Sequence, residues 1–502
     1  MKVNKLCNIG IAAMTVVCVG CAASSHENVA KTNVSVAAES DQWAYTDGLG
    51  RTARDYASAG EHRDDKYVGL FYWTWHNNTH DPAYRVVNIP HVLAEHPEAI
   101  NDYDSPYWGG EQKPEIFFWG EPIFGYYQTT DKWVLRKHAE MLADAGVDVV
   151  FFDCTNSNLL FEDSFNALCQ TWIEAQQDGV KVPKVAFILP LWIQDCSVLS
   201  LRRLYEAYYS QGKYEDLWFY WDGKPMIMAW PDNLTDSELD NQIKDFFTFR
   251  RSQAAYNTPD FEDKWGWLQV YPQKPGYRNP ETGRYEQTTV GVAQNTRAAN
   301  GESCCAFNLP DTYGRSFSKT KGWDPRPDGY LYGWNFQEQW DRAIDSLDVD
   351  LIFVTGWNEW HSGMWTKADG WTDPVSFVDQ FDWDHSRDCE PTLEWGDKGD
   401  AYYWQLVDQI RRFKGMKAPA KTSEKKTIRF NTAGEWDDVL PRYKAYKGNT
   451  FHRDYPGYYE KHYTNASGRN DIVGAQVAHD DNYVYFRVET AEALTSPSDR
   501  NW

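Results

Sequence analysis

The stretch 351-LIFVTGWNEWHSGMW-365 runs five apolar or β-branched residues into a glycine. It then sets Glu359 between Trp357 and Trp360, with Asn358 and His361 beside it. A strand interior does not need a carboxylate, and a turn ordinarily draws Asn, Asp, Gly or Pro, so Glu359 marks a position for chemistry. A second acid closes an apolar run in 149-VVFFDCTN-156, where Asp153 follows four apolar residues. Asp can also end a strand to cap the next loop or helix through its side chain. Two carboxyl groups beside one bond are what glycosidic cleavage uses. One protonates the departing oxygen, and the other stabilises or relays positive charge at the anomeric carbon.

The elements that must position these acids recur along the chain. Strand-length apolar runs occur at 67-YVGLFYWTW-75, 147-VDVVFFD-153, 185-VAFILPLW-192, 225-PMIMAW-230, 265-WGWLQVYP-272 and 351-LIFVTGW-357. Helical periodicity fills gaps between them, in 132-KWVLRKHAEMLADAG-146, which stops on a glycine, and in 200-SLRRLYEAYYSQG-212. Continuous apolar strands alternating with amphipathic helices imply a parallel sheet covered on both faces, here a (β/α)8 barrel of the TIM type over residues 64–414. No glycine-rich phosphate loop follows the first strand, which removes a doubly wound nucleotide fold, and nothing in the chain calls for a cofactor. The region 276–345, rich in Gly, Pro and Asn, reads as long loops.

In such a barrel the site lies at the C-terminal strand ends. Read in order, those ends give Trp73, Trp75 and His76, then Asp153, Trp192, Trp230 and Tyr271, and last Trp357, Asn358, Glu359, Trp360 and His361. The repetition of aromatics around two acids is the signal. Flat rings suit the C–H faces of sugars, and the chain carries 25 Trp. The expected arrangement is one cleft with Trp73, Trp192, Trp230 and Trp360 as stacking platforms, and with His76 and His361 orienting a carboxylate or holding a hydroxyl.

Composition narrows the partners. The net charge is −23, from 73 acidic and 50 basic residues, a surface that repels phosphate backbones and excludes nucleic acid as the natural partner. Of nine cysteines, the six from Cys154 on (Cys154, Cys169, Cys196, Cys304, Cys305, Cys389) form no C-x-x-C and pair with no His, so no metal site is expected and buried free thiols are.

Both ends read as separate segments. Lys2 and Lys5 precede the short apolar run 9-IGIAAMTVVCVGC-21, and Val19-Gly20-Cys21 followed by Ala-Ala-Ser-Ser resembles the lipobox of a bacterial lipoprotein. That resemblance implies residues 1–21 as signal and anchor, with Cys21 lipidated and the protein held in the cell envelope. Residues 22–63 read as a polar tether. After 402-YYWQLVDQIRRFKG-415, residues 415–427 read as a linker, and 428–502 alternates like a partial β-sandwich.

The segments 69-GLFYWTWH-76, 125-GYYQTTDKWVLRKHAEMLADAGVDVVFFD-153 and 354-VTGWNEW-360 resemble the endo-α-mannosidase-like glycoside hydrolases of families 71 and 99. Family 99 implies a (β/α)8 barrel acting on α-linked glycans with retention, through the Glu of the Asn-Glu-Trp motif and a second Glu three residues later. Glu359 matches the first. Ser362 stands at the second, although Gly363 is kept. The family's following Glu-Pro is reached at Glu390-Pro391 only after an insertion carrying Asp369, Asp373, Asp379, Asp382, Asp384 and Asp388. The missing acid would come from Asp153 first and from this insertion second, with Glu390 among the substrate-binding groups. The segment 465-NASGRNDIVGAQVAHDDNYVYFRVET-490 resembles family-9-like carbohydrate-binding modules.

The expectation is an exported, lipid-anchored glycoside hydrolase whose partner is an oligo- or polysaccharide and whose only membrane contact is the anchor. The alternatives are a non-catalytic glycan-binding lipoprotein on a barrel that lost its acid, and a glycan transferase or lyase. Mass spectrometry of the mature protein should find residues 1–20 removed and a lipid-modified Cys21. An unmodified N-terminus elsewhere, or retained Met1, would reject the anchor.

Overall fold

Eight short strands run parallel and follow one another in chain order: β1 (Tyr67–Tyr72), β2 (Val149–Asp153), β3 (Lys184–Ile188), β4 (Lys224–Met228), β5 (Thr248–Gln253), β6 (Lys264–Gly266), β7 (Tyr285–Gly291) and β8 (Leu351–Thr355). Each pairs with the next from β1 to β6, β7 pairs with β8, and β8 returns to β1, giving a nearly closed barrel-like sheet. These strands come from a computed structural model that describes residues 37–76, 85–191, 195–253, 262–301, 304–367 and 373–498. Trp192, Asp369, Cys21 and residues 22–36 of the expected tether lie outside the described residues.

The remaining seam, between β6 and β7, is closed by a side chain. Gln287 donates from Nε2 to the Gly266 carbonyl (2.7 Å) and accepts the Gly266 N–H at Oε1 (3.0 Å), so its amide stands in for a missing peptide pair. Helices α1 (Lys132–Ala145), α2 (Glu162–Gln177), α3 (Asp195–Leu204), α4 (Glu238–Phe246), α5 (Trp334–Ser346) and α6 (Ala401–Lys414) follow β1, β2, β3, β4, β7 and β8. Among the described residues no helix follows β5 or β6. The β6–β7 connection instead carries the strand Gly276–Arg278, antiparallel to β7. The regular eightfold alternation expected from the sequence is therefore reduced to this coarser pattern.

The barrel interior is aromatic and aliphatic. Phe71, Val149, Phe151, Ile188, Met226, Met228, Leu351 and Phe353 pack together, each large side chain contributing about 1.5–3 kcal/mol by burial. Gly69 has to be glycine here, since a Cβ would lie 2.6 Å from the Phe151 ring that fills the axis. The expected cysteine state is also seen: all six from Cys154 on are free thiols, four of them buried.

Three boundary expectations need correction. Residues 41–63 are no tether, because they pack on α6. Tyr45 lies 4.1 Å from the Trp404 ring and donates to its carbonyl, and Arg411 donates to the Asp41 and Trp43 carbonyls. The segment 428–502 is divided. Among the described residues, one unit holds Asp41–Ala418 together with Phe451–Ala466, and the other holds 37–40, Pro419–Thr450 and 467–498. This second unit forms one four-stranded sheet, Ala37–Ala38, Arg442–Lys444, Ile472–His479 and Val484–Thr490, around Ile428, Val439, Ala478 and Tyr485. The expected sandwich is thus a single sheet among the described residues.

The hairpin Arg453–Pro456/His462–Asn465 is built into the barrel unit. Arg453 pairs with Asp131, the N-cap of α1, at 2.7 Å with both side chains buried, and the Tyr126 N–H donates to the Tyr463 hydroxyl. Replacing Arg453 by Met should leave a buried carboxylate without a countercharge. Chemical denaturation should then show a loss of about 3–5 kcal/mol. A loss below ~1 kcal/mol, the scale of an exposed pair, would mean the hairpin is dispensable.

Candidate active site

Glu359 follows β8 by four residues and is held by the loop that ends the acidic insertion. Gly356 N–H donates to the Arg387 carbonyl (2.7 Å), Cys389 N–H to Gly356 (3.1 Å) and Glu390 N–H to Trp357 (3.0 Å), so 387–390 lies alongside 356–359. The Glu359 N–H donates to Asp388 Oδ1 at 2.6 Å, and Trp119 Nε1 donates to Asp388 Oδ2 at 2.6 Å. Arg387 Nη2 reaches both Glu359 oxygens (3.3 and 3.2 Å) and Asp379 Oδ1 (3.4 Å).

Asp153 faces the same centre. It shares the inward parity of Val149 and Phe151 on β2 and ends that strand, and Thr155 donates from N–H and Oγ1 to its Oδ1. Two of these carboxyls, Glu359 and Asp379, contact the Arg387 guanidinium, while Asp388 lies under the Glu359 N–H and Asp153 adds its charge from the end of β2. Burial pushes Glu359 well above the ordinary carboxylate range, Arg387 opposes it, and the charges of Asp379, Asp388 and Asp153 add to the rise. Burial also lifts Asp153 to about 6, against the Thr155 hydrogen bonds, and Asp388 to about 7, against Trp119 and Arg315. Like charges this close cannot all ionise, so the cluster retains protons near neutrality. Asp379 is its open member: the side chain is 40 % exposed, while burial of the surrounding site raises its pKa against Arg387.

Of the other insertion acids, Asp382 pairs with His385 and Asp384 accepts from Ser316 N–H and Oγ. The structure therefore brings Asp153, Asp379 and Asp388 to Glu359. The sequence reading saw the acids of the insertion and passed over Arg387, the cation that organises them. It also passed over Trp119.

Several residues expected to touch substrate lie deeper. The Asn358 side chain braces the end of β1, accepting the Trp73 N–H (2.8 Å) and donating to the Trp73 carbonyl (3.1 Å). Glu390 accepts from Tyr127 Oη (2.9 Å) and meets His138 Nε2 (2.8 Å), whose Nδ1 meets Tyr72 Oη (2.7 Å). Trp360 is core and no platform. It stacks on His76 (3.8 Å) and is enclosed by Phe118, Tyr126, Tyr127 and Tyr458, because the hairpin carrying Tyr458 covers the face left open in the sequence reading. His76 is fully buried in that cluster, and desolvation holds its imidazole neutral. Trp357 is also buried, edge-on to His138.

A row of aromatics runs from the core toward the barrel mouth: Trp267 on Phe71 (5.1 Å), Phe71 to Trp73 (6.2 Å), Trp73 on Trp75 (4.3 Å) and Trp75 on Phe161 (4.9 Å). Phe71 and Trp73 are buried core, so Trp73 is no platform, and Trp75 and Trp267 are the partly exposed members. Trp73 Nε1 donates to His361 Nε2 at 3.0 Å, and burial lowers His361 to about 3, so it is a neutral acceptor. Trp267 directly follows β6. Tyr271, taken as that strand end from the sequence, comes five residues after Gly266 because β6 is only three residues long. Trp230 is half-buried, donates to the Ser252 carbonyl and lies under the Arg251 guanidinium. A crevice of about 200 Å³ beside Gly146 and Asp148 lies at the N-terminal end of β2, the opposite end from Asp153.

The raised acids make stability depend on pH. A carboxyl whose folded pKa lies near 7 instead of 3.8 stabilises the fold at low pH, and that contribution fades as pH rises from about 4 through 7. Asp388→Asn cannot ionise. Its stability relative to the parent should shift in the variant's favour between pH 4 and 8, by an amount on the order of 2–4 kcal/mol. Denaturation curves of the two proteins that keep a constant separation over this range would exclude Asp388 as a proton-holding group.

No family profile and no curated protein matches the chain. Among solved structures, it is similar to two of a GH99 endo-alpha-mannosidase from Bacteroides thetaiotaomicron. The one in complex with bis-tris-propane has a TM-score of 0.39 at 15% identity, over 69% of this chain and 97% of that one. The other has a TM-score of 0.37 at 15% identity, over 70% and 98%. A glycoside hydrolase-like protein gives 0.40 at 12% identity, over 71% and 96%.

Proposed function

We propose that the chain is a glycoside hydrolase that cleaves α-linked bonds in a complex glycan with retention, exported and lipid-anchored through Cys21. The observation that carries the hydrolase reading is Glu359 and Asp379 held together on Arg387, with the charge of Asp153 acting on Glu359 from the end of β2 and the partly exposed Trp75 and Trp267 beyond β1 and β6. The linkage and the stereochemistry come from the sequence resemblance around Asn358-Glu359-Trp360, and the anchor from the residues around Cys21.

The chemistry assigns one carboxyl to each partner of the bond. Asp153, raised to about 6, holds a proton that it can give to the departing oxygen. Glu359, kept in orientation by both of its contacts to Arg387, acts as the base in the molecules where that guanidinium holds it ionised against burial, and there it helps a substrate hydroxyl attack its own anomeric carbon. The proton lost by that hydroxyl goes to Glu359 and the one gained by the leaving group comes from Asp153. Water then reverses both transfers when it opens the intermediate.

A non-catalytic glycan binder remains the competing reading. It is favoured by Ser362, which is buried at the position of the family's second Glu and donates to the Gly363 carbonyl.

A panel of α- and β-linked oligosaccharides, read by release of reducing ends, separates the two readings. On the substrate that is cleaved, Glu359→Gln should lower turnover at least ~100-fold while binding persists. Asp153→Asn should match that loss, with Asp379→Asn much milder. The reverse order would move the acid role to Asp379. Near-normal turnover in Glu359→Gln would make Glu359 structural.

A further inference from the structure

The loop 312–318, on the connection from β7 to α5, grips the returning end of the acidic insertion. Arg315 N–H donates to the Asp384 carbonyl (2.7 Å), and Ser316 donates to the Asp384 carboxylate from N–H (2.7 Å) and Oγ (2.8 Å). The Arg315 side chain continues along the same segment, donating from Nε to Ser386 Oγ (2.9 Å) and from Nη2 to the Asp388 carbonyl (3.0 Å). One arginine thus holds residues 384, 386 and 388, the segment that carries Arg387 and Asp388 to the Glu359 centre.

The Arg315 guanidinium is fully buried. Among the described residues its hydrogen-bond acceptors are this hydroxyl and this carbonyl, both uncharged, and Nη1 has no partner. Rings take up the rest of its surroundings: the Tyr402 centroid lies 4.2 Å away, and those of Trp119 and Trp395 lie 5.2 Å away. Aromatic faces attract a cation and do not neutralise it. A charge so far from water, with no carboxylate in contact, acts strongly on the ionisable groups around it. The carboxyl that feels it is Asp388.

Each oxygen of Asp388 accepts an N–H, one from the Glu359 backbone (2.6 Å) and one from the Trp119 indole (2.6 Å). Neither of these groups can accept a hydrogen bond, so a proton on Asp388 has to displace one of them, and only the ionised form keeps both. Burial opposes that form, as does the charge of Glu390, and Arg315 works against them. The other charged neighbours are Glu359 itself and Arg387, whose guanidinium turns to Glu359 and Asp379.

We infer that Arg315 is a positioning residue of the Glu359 centre: its caged charge keeps Asp388 as the carboxylate that pins the Glu359 N–H, and it does so without touching substrate. This rests on the hydrolase reading above and adds to it the cation that stands behind the base. Trp119 serves both partners, since its ring lies beside Arg315 and its N–H is held by Asp388.

The test uses the full-length protein. Chemical denaturation is followed from pH 4 to 10 for the parent, Arg315→Met, Arg315→Lys and Asp388→Asn, and for Arg315→Met in the Asp388→Asn background. In the parent, the stability contributed by the Asp388 proton is present at low pH and is lost as pH rises through about 7. In Arg315→Met that loss should extend upward by about one pH unit or more, the scale of one opposite charge. Arg315→Lys should bring it back toward the parent, and the shift should vanish in the Asp388→Asn background. Arg315→Gln takes the place of the methionine variant if that one does not fold. A pH dependence in the neutral variant that matches the parent overturns the inference, as does a shift that survives in Asp388→Asn. On whichever glycan the parent cleaves, Arg315→Met should lower kcat ~10-fold or more and leave KM within about twofold, the pattern of a misplaced base. An unchanged kcat, or a loss confined to KM, also overturns the positioning role. A parent that cleaves no glycan overturns the hydrolase reading, and the denaturation series still decides whether Arg315 holds Asp388.

Discussion

The contact between Arg387 and Glu359 is the constraint on which the site depends. A guanidinium and a carboxylate that are both buried cost several kcal/mol each to dehydrate, and their attraction offsets this only when geometry and neighbouring hydrogen bonds are good. Here the geometry is imposed by backbone. Residues 387–390 are tied to 356–359 by three peptide hydrogen bonds, so the cation and the acid cannot drift apart without opening the end of β8. The same tie sets Asp388 under the Glu359 N–H and places Glu390 against His138 and Tyr127. One loop thereby fixes Glu359, its countercharge and the buried network below.

That network explains why so many polar side chains near the site face away from the mouth. Asn358 satisfies both backbone groups of Trp73, and Tyr127, Glu390, His138 and Tyr72 form a continuous buried chain of hydrogen bonds. Satisfied networks of this kind rigidify what rests on them. What rests on them is the end of β1, and with it the Trp73–Trp75 pair of the aromatic row.

The hairpin Arg453–Pro456/His462–Asn465 extends this logic to residues far along the chain. Tyr458 is fully buried and packs near His76, Phe118 and Trp360, while its N–H donates to the Tyr126 carbonyl. Gly457 permits the approach, since a Cβ there would sit 2.7 Å from that carbonyl oxygen. A segment whose alternation reads as a separate module thus supplies part of the wall behind the site.

The sequence by itself determined the barrel-like order of strands and the special standing of Glu359, because both are written locally. Apolar runs report strands buried on two faces, and a Glu between indoles at a strand end breaks every local preference. The strands β5 and β7 were not legible, since 248-TFRRSQ-253 and 285-YEQTTVG-291 are polar; β7 is buried because Gln287, Thr288 and Thr289 find partners on other segments. Trp360 and Trp267 show the same limit from opposite sides. Both are strand-end tryptophans, yet one is enclosed by a hairpin about a hundred residues downstream and the other stacks on Phe71 toward the mouth. Which of the insertion's acids faces Glu359 was likewise decided by tertiary structure. Asp382 and Asp384 are claimed by His385 and Ser316, and Arg387 gathers Asp379 to the centre. Charge pairing and burial depend on what the folded chain brings within a few ångströms, and spacing along the sequence does not carry that information.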